Sequence, residues 1–302
     1  MSTTKNRTLT PLVQGGNYFE CPRWREDRWW VSDFYRHAVF SYGADGDERL
    51  ELEVEAQPSG LGWLPDGDML VVSMKDRRVL RRSADGRVTT HADLSELVTG
   101  HVNDMIVDRQ GRAFVGNFGF DLMGGAPPAP ASLLRIDPDG AVTVAAEDLW
   151  FPNGMVITDD GVLIVAETFA ARLAGFDIQP DGSLDGRRVW AQVQPSPEPG
   201  GTEAMLSAVT FAPDGCALDA EGHVWAANAL GGAVCRVAPG GEIVDEVAMP
   251  DGLGVFACGL GGEDGRTLVG CAAPDFYEHT RMAAREAVLL TTTVEVPHAG
   301  LP

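Results

Sequence analysis

Glu20, Ser59, Asn103, Asn153 and Asp214 each open a segment of similar pattern, and four of these five side chains end in a carboxylate or carboxamide. Two carboxylates and two carboxamides make a donor set of hard oxygens with no histidine or cysteine. That set suits calcium, magnesium or manganese better than zinc or copper. Carboxamides beside carboxylates lean toward calcium, with zinc, magnesium and manganese as the other candidates for one divalent ion. Two negative charges brought near one axis repel each other unless a cation lies between them. The competing account is turn chemistry, because Asn-Gly and Asp-Gly favour turns without any function. It explains one such dipeptide well and four oxygen-bearing side chains in one register poorly.

These residues share a register because the chain repeats. Written from the polar residue onward, the copies are SGLGWLPDGDMLVVS from Ser59, NDMIVDRQGRAFVGN from Asn103, NGMVITDDGVLIVAE from Asn153 and DGCALDAEGHVWAAN from Asp214. A slightly shorter copy, ECPRWREDRWWVSD, starts at Glu20. Gly67, Gly111, Gly161 and Gly222 fall at one common offset in the first four. Each copy alternates apolar residues, turns at a Gly or Asp cluster and runs apolar again, which predicts a β-hairpin. Second turns follow at 43–46, 83–86, 137–140, 179–182 and 238–241. Every unit therefore reads as a four-stranded meander of about 40–60 residues, the span of a propeller blade.

A sixth, weaker unit comprises VFACGLGG from Val255, TLVGCAAP from Thr267 and EAVLLTTTVEV from Glu286. The N-terminal TLTPLV is expected to supply its fourth strand and so remove the free edges. The expectation is an all-β, six-bladed β-propeller forming one domain over residues 1–302. A β-sandwich would not give one equivalent residue per repeat. Helical periodicity is confined to DFYEHTRMAAREA, which predicts a helix inserted at 275–287.

The first strand of a propeller blade lines the central channel, so ring closure carries the opening residues to one axis. They read Glu20, Ser59, Asn103, Asn153, Asp214 and, approximately, Ala257. Loops after the second strands rim the same mouth. Two are long: FGFDLMGGAPPAPA at 118–131, with Phe118 and Phe120, and the loop holding Phe276, Tyr277, His279 and Met282. Long loops in compact domains are often lids, and these compositions predict a covered, largely apolar pocket above the ion. Asp108, Asp159 and Asp219 fall in turns on the far rim. Trp24, Trp29, Trp30, Trp63 and Trp225 fall at strand positions, as core packing.

Lys+Arg 23 against Asp+Glu 44 gives a formal charge of -21, which repels nucleic acid and anionic membranes. Five cysteines with no CxxC pair point to reduced thiols packed inside strands, as in a cytosolic protein. No apolar stretch suits a signal peptide or a membrane span, so the expected location is the cytoplasm. There is no GxSxG elbow and no phosphate-cradling loop.

At these residues the chain resembles the gluconolactonase and senescence-marker-protein (regucalcin) family, which includes diisopropyl fluorophosphatase-like and drug-responsive lactonase-like enzymes. The motifs are E-x-P-x-W at Glu20–Trp24, N-D at Asn103–Asp104, P-N-G-M at Pro152–Met155 and P-D-G-C-A-L-D-A-E-G-x-V-W-A-A at Pro213–Ala227. The resemblance covers nearly the whole chain. It implies a propeller holding a catalytic divalent ion, with Glu20, Asn153 and Asp214 as ligands. Asn103 would be a fourth ligand or a substrate contact.

It also implies hydrolysis of a lactone or related ester, the metal polarising the carbonyl and Asp214 acting as base or nucleophile. Asn103, His101, Phe118 and Phe120 would contact the substrate. Sugar-lactone members tend to carry an arginine two residues before the Asn-Asp, where this chain has His101. That departure, with the apolar loops, favours a less polar lactone or ester. The alternatives are a phosphotriester or fluorophosphate hydrolase on the same metal, or a calcium-binding or peptide-binding propeller without chemistry. A strictosidine-synthase-like propeller would not need the metal set.

Overall fold

The computed structural model describes residues 7–302, whose strands form six four-stranded antiparallel sheets. The innermost strands are Phe19–Arg25, Pro58–Trp63, Val102–Val107, Pro152–Ile157, Pro213–Leu218 and Gly254–Gly261. Each packs against the innermost strand of the next blade, and the last returns to the first. This is the six-bladed β-propeller that the repeat predicts. Thr10–Gly16 pairs with Ala287–Thr293 as the outermost strand of the sixth blade, so TLTPLV closes the ring as expected. Pro11 lies on that edge strand, the position in a sheet where a missing N–H is best tolerated.

Burial explains the apolar runs. Pro152–Ile157 is buried at every position because blades press on both its faces, whereas outer Glu48–Glu53 leaves most positions exposed. Core packing lies between blades. Cys21, Trp30 and Val39 of the first blade meet Leu61, Met69 and Val71 of the second, and Trp225 of the fifth meets Cys258 and Leu260 of the sixth. All five cysteines are buried and free. Trp29, Trp30 and Trp225 are buried, while Trp24 and Trp63 are partly covered and pack on Trp29 and Trp30.

The glycines do two different jobs. Gly67, Gly111, Gly161 and Gly222 turn the inner hairpins at φ of +92°, +83°, +84° and +75°, a region that a side chain disfavours. Gly60, Gly154 and Gly215 instead follow the axial residues inside innermost strands. A Cβ on Gly154 would lie 2.3 Å from Asp214 O and 2.6 Å from Cys216 N, both backbone atoms of the next blade. On Gly60 it would lie 2.5 Å from Met105 N. Turn chemistry therefore does not account for these dipeptides; close approach of neighbouring inner strands does. Gly154→Ala is expected to destabilise the fold by about 1–3 kcal/mol, the usual cost of overpacking, measured by urea denaturation. A midpoint equal to that of the parent would show that the strands can part at no cost.

Two helices depart from expectation. The predicted 275–287 helix shrinks to Glu278–Arg281. Buried Arg281 is held by Asp275 and Glu286, and Ala287 is committed to the strand opposite Gly16. A second helix, Thr202–Ala208, fills the connection between the fourth and fifth blades, where no helix was expected.

Candidate metal centre and its pocket

In all six blades the pairing of the first two strands breaks at one place. The breaks fall between Glu20 and Arg23, Pro58 and Leu61, Val102 and Met105, Pro152 and Met155, Pro213 and Cys216, and Val255 and Ala257. A bulge re-aims a side chain out of the ladder. Ser59, Asn103, Asn153 and Asp214 occupy these bulges, and Glu20 borders the first. The sixth bulge holds only Phe256, and it is Phe256 rather than Ala257 that faces the pocket. Ala257 lies instead beneath Gly215 of the fifth blade.

Glu20, Asn103, Asn153 and Asp214 line one pocket and are all buried. A chain of hydrogen bonds joins the amides. Ser59 Oγ donates to Asn103 Oδ1 at 3.4 Å, Asn103 Nδ2 to Asn153 Oδ1 at 2.9 Å, and Asn153 Nδ2 to Thr168 Oγ1 at 3.3 Å. Thr168 Oγ1 donates in turn to Pro213 O at 2.8 Å, which ties the fourth blade to the strand bearing Asp214. With both amide N–H groups engaged sideways, the oxygens keep lone pairs for a further partner. Ser59 contributes through this chain and does not line the pocket.

The carboxylates are less fully satisfied. Glu20 Oε2 receives a 3.3 Å bond from Cys21 N–H. Burial pushes the Glu20 carboxyl well above the usual range, and the like charges of Asp214 and Asp104 add to it. Burial does the same to Asp214, with Asp104 second, while hydrogen bonds from the Asn153 side chain and the Gly215 backbone pull the other way. Arg23 is the basic group at the centre, and it is committed to Asp104 at 3.0 Å. Asp104 Oδ1 also accepts from Cys21 Sγ at 3.2 Å and Met105 N at 2.7 Å.

With Arg23 committed to Asp104, Glu20 and Asp214 would carry two further negative charges when ionised, which one divalent cation would balance. Buried charge without a partner is costly, and oxygens that keep free lone pairs suit a hard ion. Glu20, Asp214, Asn153 and Asn103 thus fit a divalent cation by charge and donor type. Among the described residues no three of His, Cys, Asp and Glu gather as a metal cluster. The axial ring itself offers two carboxylates and completes its oxygens with amides.

Above the ring the walls are aromatic. Phe118 stacks on Phe151 with centroids 4.5 Å apart, and both line the pocket, as do Phe169 and Phe256. His101 lines it too, beside Phe118 at 5.5 Å. Burial, then Lys75, lowers the proton affinity of His101 and so favours its neutral imidazole. Phe120 departs from expectation: it packs edge-on against Phe169 and lines an adjoining recess with Lys75 and Arg77. Both long loops reach the mouth, through Leu122, Met123 and Phe276, and Leu206 of the unforeseen helix joins them. Lys75 Nζ bonds Glu278 Oε1 at 2.6 Å across this mouth. Asp108 and Asp219 lie in far turns, bound to Arg112 and Arg236. Asp159 meets Arg109 at the surface.

Sequence reading missed Arg23, Asp104, Thr168 and Leu206. Arg23 sits inside E-x-P-x-W and Asp104 inside N-D, motifs that gave neither a role of its own; Thr168 and Leu206 carried no signal.

A propeller with an acidic, amide-ringed centre under an aromatic pocket defines the class. The family described as SMP-30/Gluconolactonase/LRE-like region matches residues 19–273, and the chain belongs to it. A 6-deoxy-6-sulfogluconolactonase of Pseudomonas putida is 30% identical over 273 residues, 87% of this chain and 86% of that protein. Pentonolactonase XacC of Haloferax volcanii is 30% identical over 201 residues, 66% of this chain and 61% of the relative's length. The solved structure of a calcium-binding protein, regucalcin, from Agrobacterium tumefaciens gives a TM-score of 0.78 at 21% identity. It covers 99% of this chain and 97% of its own. At that identity the likeness speaks for the fold alone. No helix among the described residues is long and apolar enough to cross a membrane.

Proposed function

We propose that the chain works as one propeller domain that hydrolyses a lactone or related ester with the help of one divalent cation, calcium before zinc, magnesium or manganese. The observation that carries this reading is the pair of buried carboxylates, Glu20 and Asp214, which have no ion-pair partner among the described residues and lie beneath the aromatic pocket. Membership of a family whose relatives bear lactonase names supplies the reaction class.

Glu20, Asn153, Asp214 and Asn103 would hold the ion. A bound divalent cation supplies Lewis acidity, drawing electron density from the carbonyl oxygen and stabilising charge that develops there. Asp214 takes the proton from an attacking water as its oxygen bonds to the carbonyl carbon. The ring C–O bond then breaks, and the leaving oxygen takes that proton back from Asp214 to become a hydroxyl, which restores the base. Asn103 and neutral His101 orient the substrate, and Phe118, Phe151 and Phe169 exclude other water from the reacting carbon.

The test is hydrolysis of a lactone panel before and after chelation, with calcium, zinc, magnesium and manganese returned singly. Turnover lost on chelation and restored by at least one ion is the expected result. No turnover of any member with any ion would sink the lactonase reading. Rates on organophosphate triesters run alongside would identify the rival chemistry.

A further inference from the structure

The residue two positions before the axial one lines the pocket in each of the first five blades: Tyr18, Gln57, His101, Phe151 and Ala212. These form a second layer directly above the donor ring. Its first three members are polar and lie on adjacent blades, while Phe151 and Ala212 are apolar.

Gln57 stands out within this layer. It is 3% exposed, and among the described residues its buried Oε1 meets no hydrogen-bond partner. An unpartnered buried amide costs about 1–3 kcal/mol, so such groups are rare without a purpose. The backbone sharpens the point. Gln57 has φ +77° directly before Pro58, and Phe151 has φ +58° directly before Pro152. Glycine or asparagine would adopt this conformation more cheaply. In the fourth blade the same turn presents an aromatic ring to the pocket; in the second it presents a carboxamide.

We propose that Gln57 is a specificity-determining residue that hydrogen-bonds a neutral polar substituent of the substrate, while Phe151, Phe169 and Phe256 hold an apolar body. This rests on the lactone reading given above. Neutrality follows from the walls: Glu20 and Asp214 face the ion, Glu278 is bound by Lys75, and among the described residues no lysine or arginine lines the pocket. The substrate class is a lactone bearing one hydroxyl or amide and otherwise alkyl or aryl carbon. A polyol would leave most of its hydroxyls against phenyl rings.

The experiment pairs an alkyl-substituted γ-lactone with the same compound carrying a ring hydroxyl, and adds the two matching lactams as unreactive ligands. The expected result is a preference of about tenfold for the hydroxylated lactone in kcat/KM and for the hydroxylated lactam in Kd, the scale of one hydrogen bond. Gln57→Leu should bring both ratios to near one. Gln57→Asn, which tolerates the left-handed backbone, should give an intermediate ratio. Hydrolysis of both lactones without preference, or a preference that survives in Gln57→Leu, overturns the proposal and spares the lactonase reading. Lactam preference that depends on Gln57, with no lactone hydrolysed, does the reverse. If neither binds nor reacts, both fall.

Discussion

Asp214→Asn should lower kcat/KM for the best lactone by about a thousandfold or more, while making the chelated protein no less stable than its parent. The substitution keeps the shape and an oxygen toward the axis but removes the proton acceptor and one charge of the donor ring. General-base catalysis alone contributes about 10²–10⁴-fold, and weaker ion binding adds to the loss. The stability half has the opposite sign. Among the described residues Asp214 is buried without a basic partner, and burial disfavours its charged form, so the parent without an ion carries a penalty that asparagine lacks. Kinetics with excess ion and thermal unfolding with chelator read the two halves separately. A rate within about threefold of the parent would remove Asp214 from the chemistry and leave an ion-binding propeller.

The blades, the closing strand and four of the axial residues were legible because rotational repetition writes the same pattern at the same offset. Gly67, Gly111, Gly161 and Gly222 occupy one turn, and one turn conformation demands one residue type. What lay between those anchors was not legible. A bulge is a pairing irregularity with no residue preference of its own, so Phe256 could not be told from Ala257. The glycine after Asn153 reads as a turn in sequence, and only the approach of Asp214 from the next blade reveals its purpose. Arg23 and Asp104 are 81 residues apart, on the first and third blades, and meet because both inner strands face the same axial channel. Gln57 precedes the repeats written from Ser59 onward, so its register with His101, two residues before the axial position, emerges only in the pocket.

Glu20→Gln should separate ion binding from folding most cleanly. In the parent, returning a divalent cation to the chelated protein is expected to raise the unfolding midpoint, because an ion that binds only the folded state stabilises it. At a hundred times its Kd that effect is about 2.7 kcal/mol. Glu20 and Asp214 supply the two carboxylates of the ring, so losing one should weaken the ion by about 10–100-fold and shrink the shift at fixed ion concentration. Turnover should fall with it and recover in part at higher ion, which the loss of a proton acceptor would not allow. Arg23 already offsets Asp104, so a single divalent ion would balance Glu20 and Asp214 once both ionise. Calorimetric titration should therefore return one site at the centre in the parent. A midpoint that ignores every ion tested, in parent and variant alike, would mean that the buried carboxylates are held protonated and that the centre binds no metal.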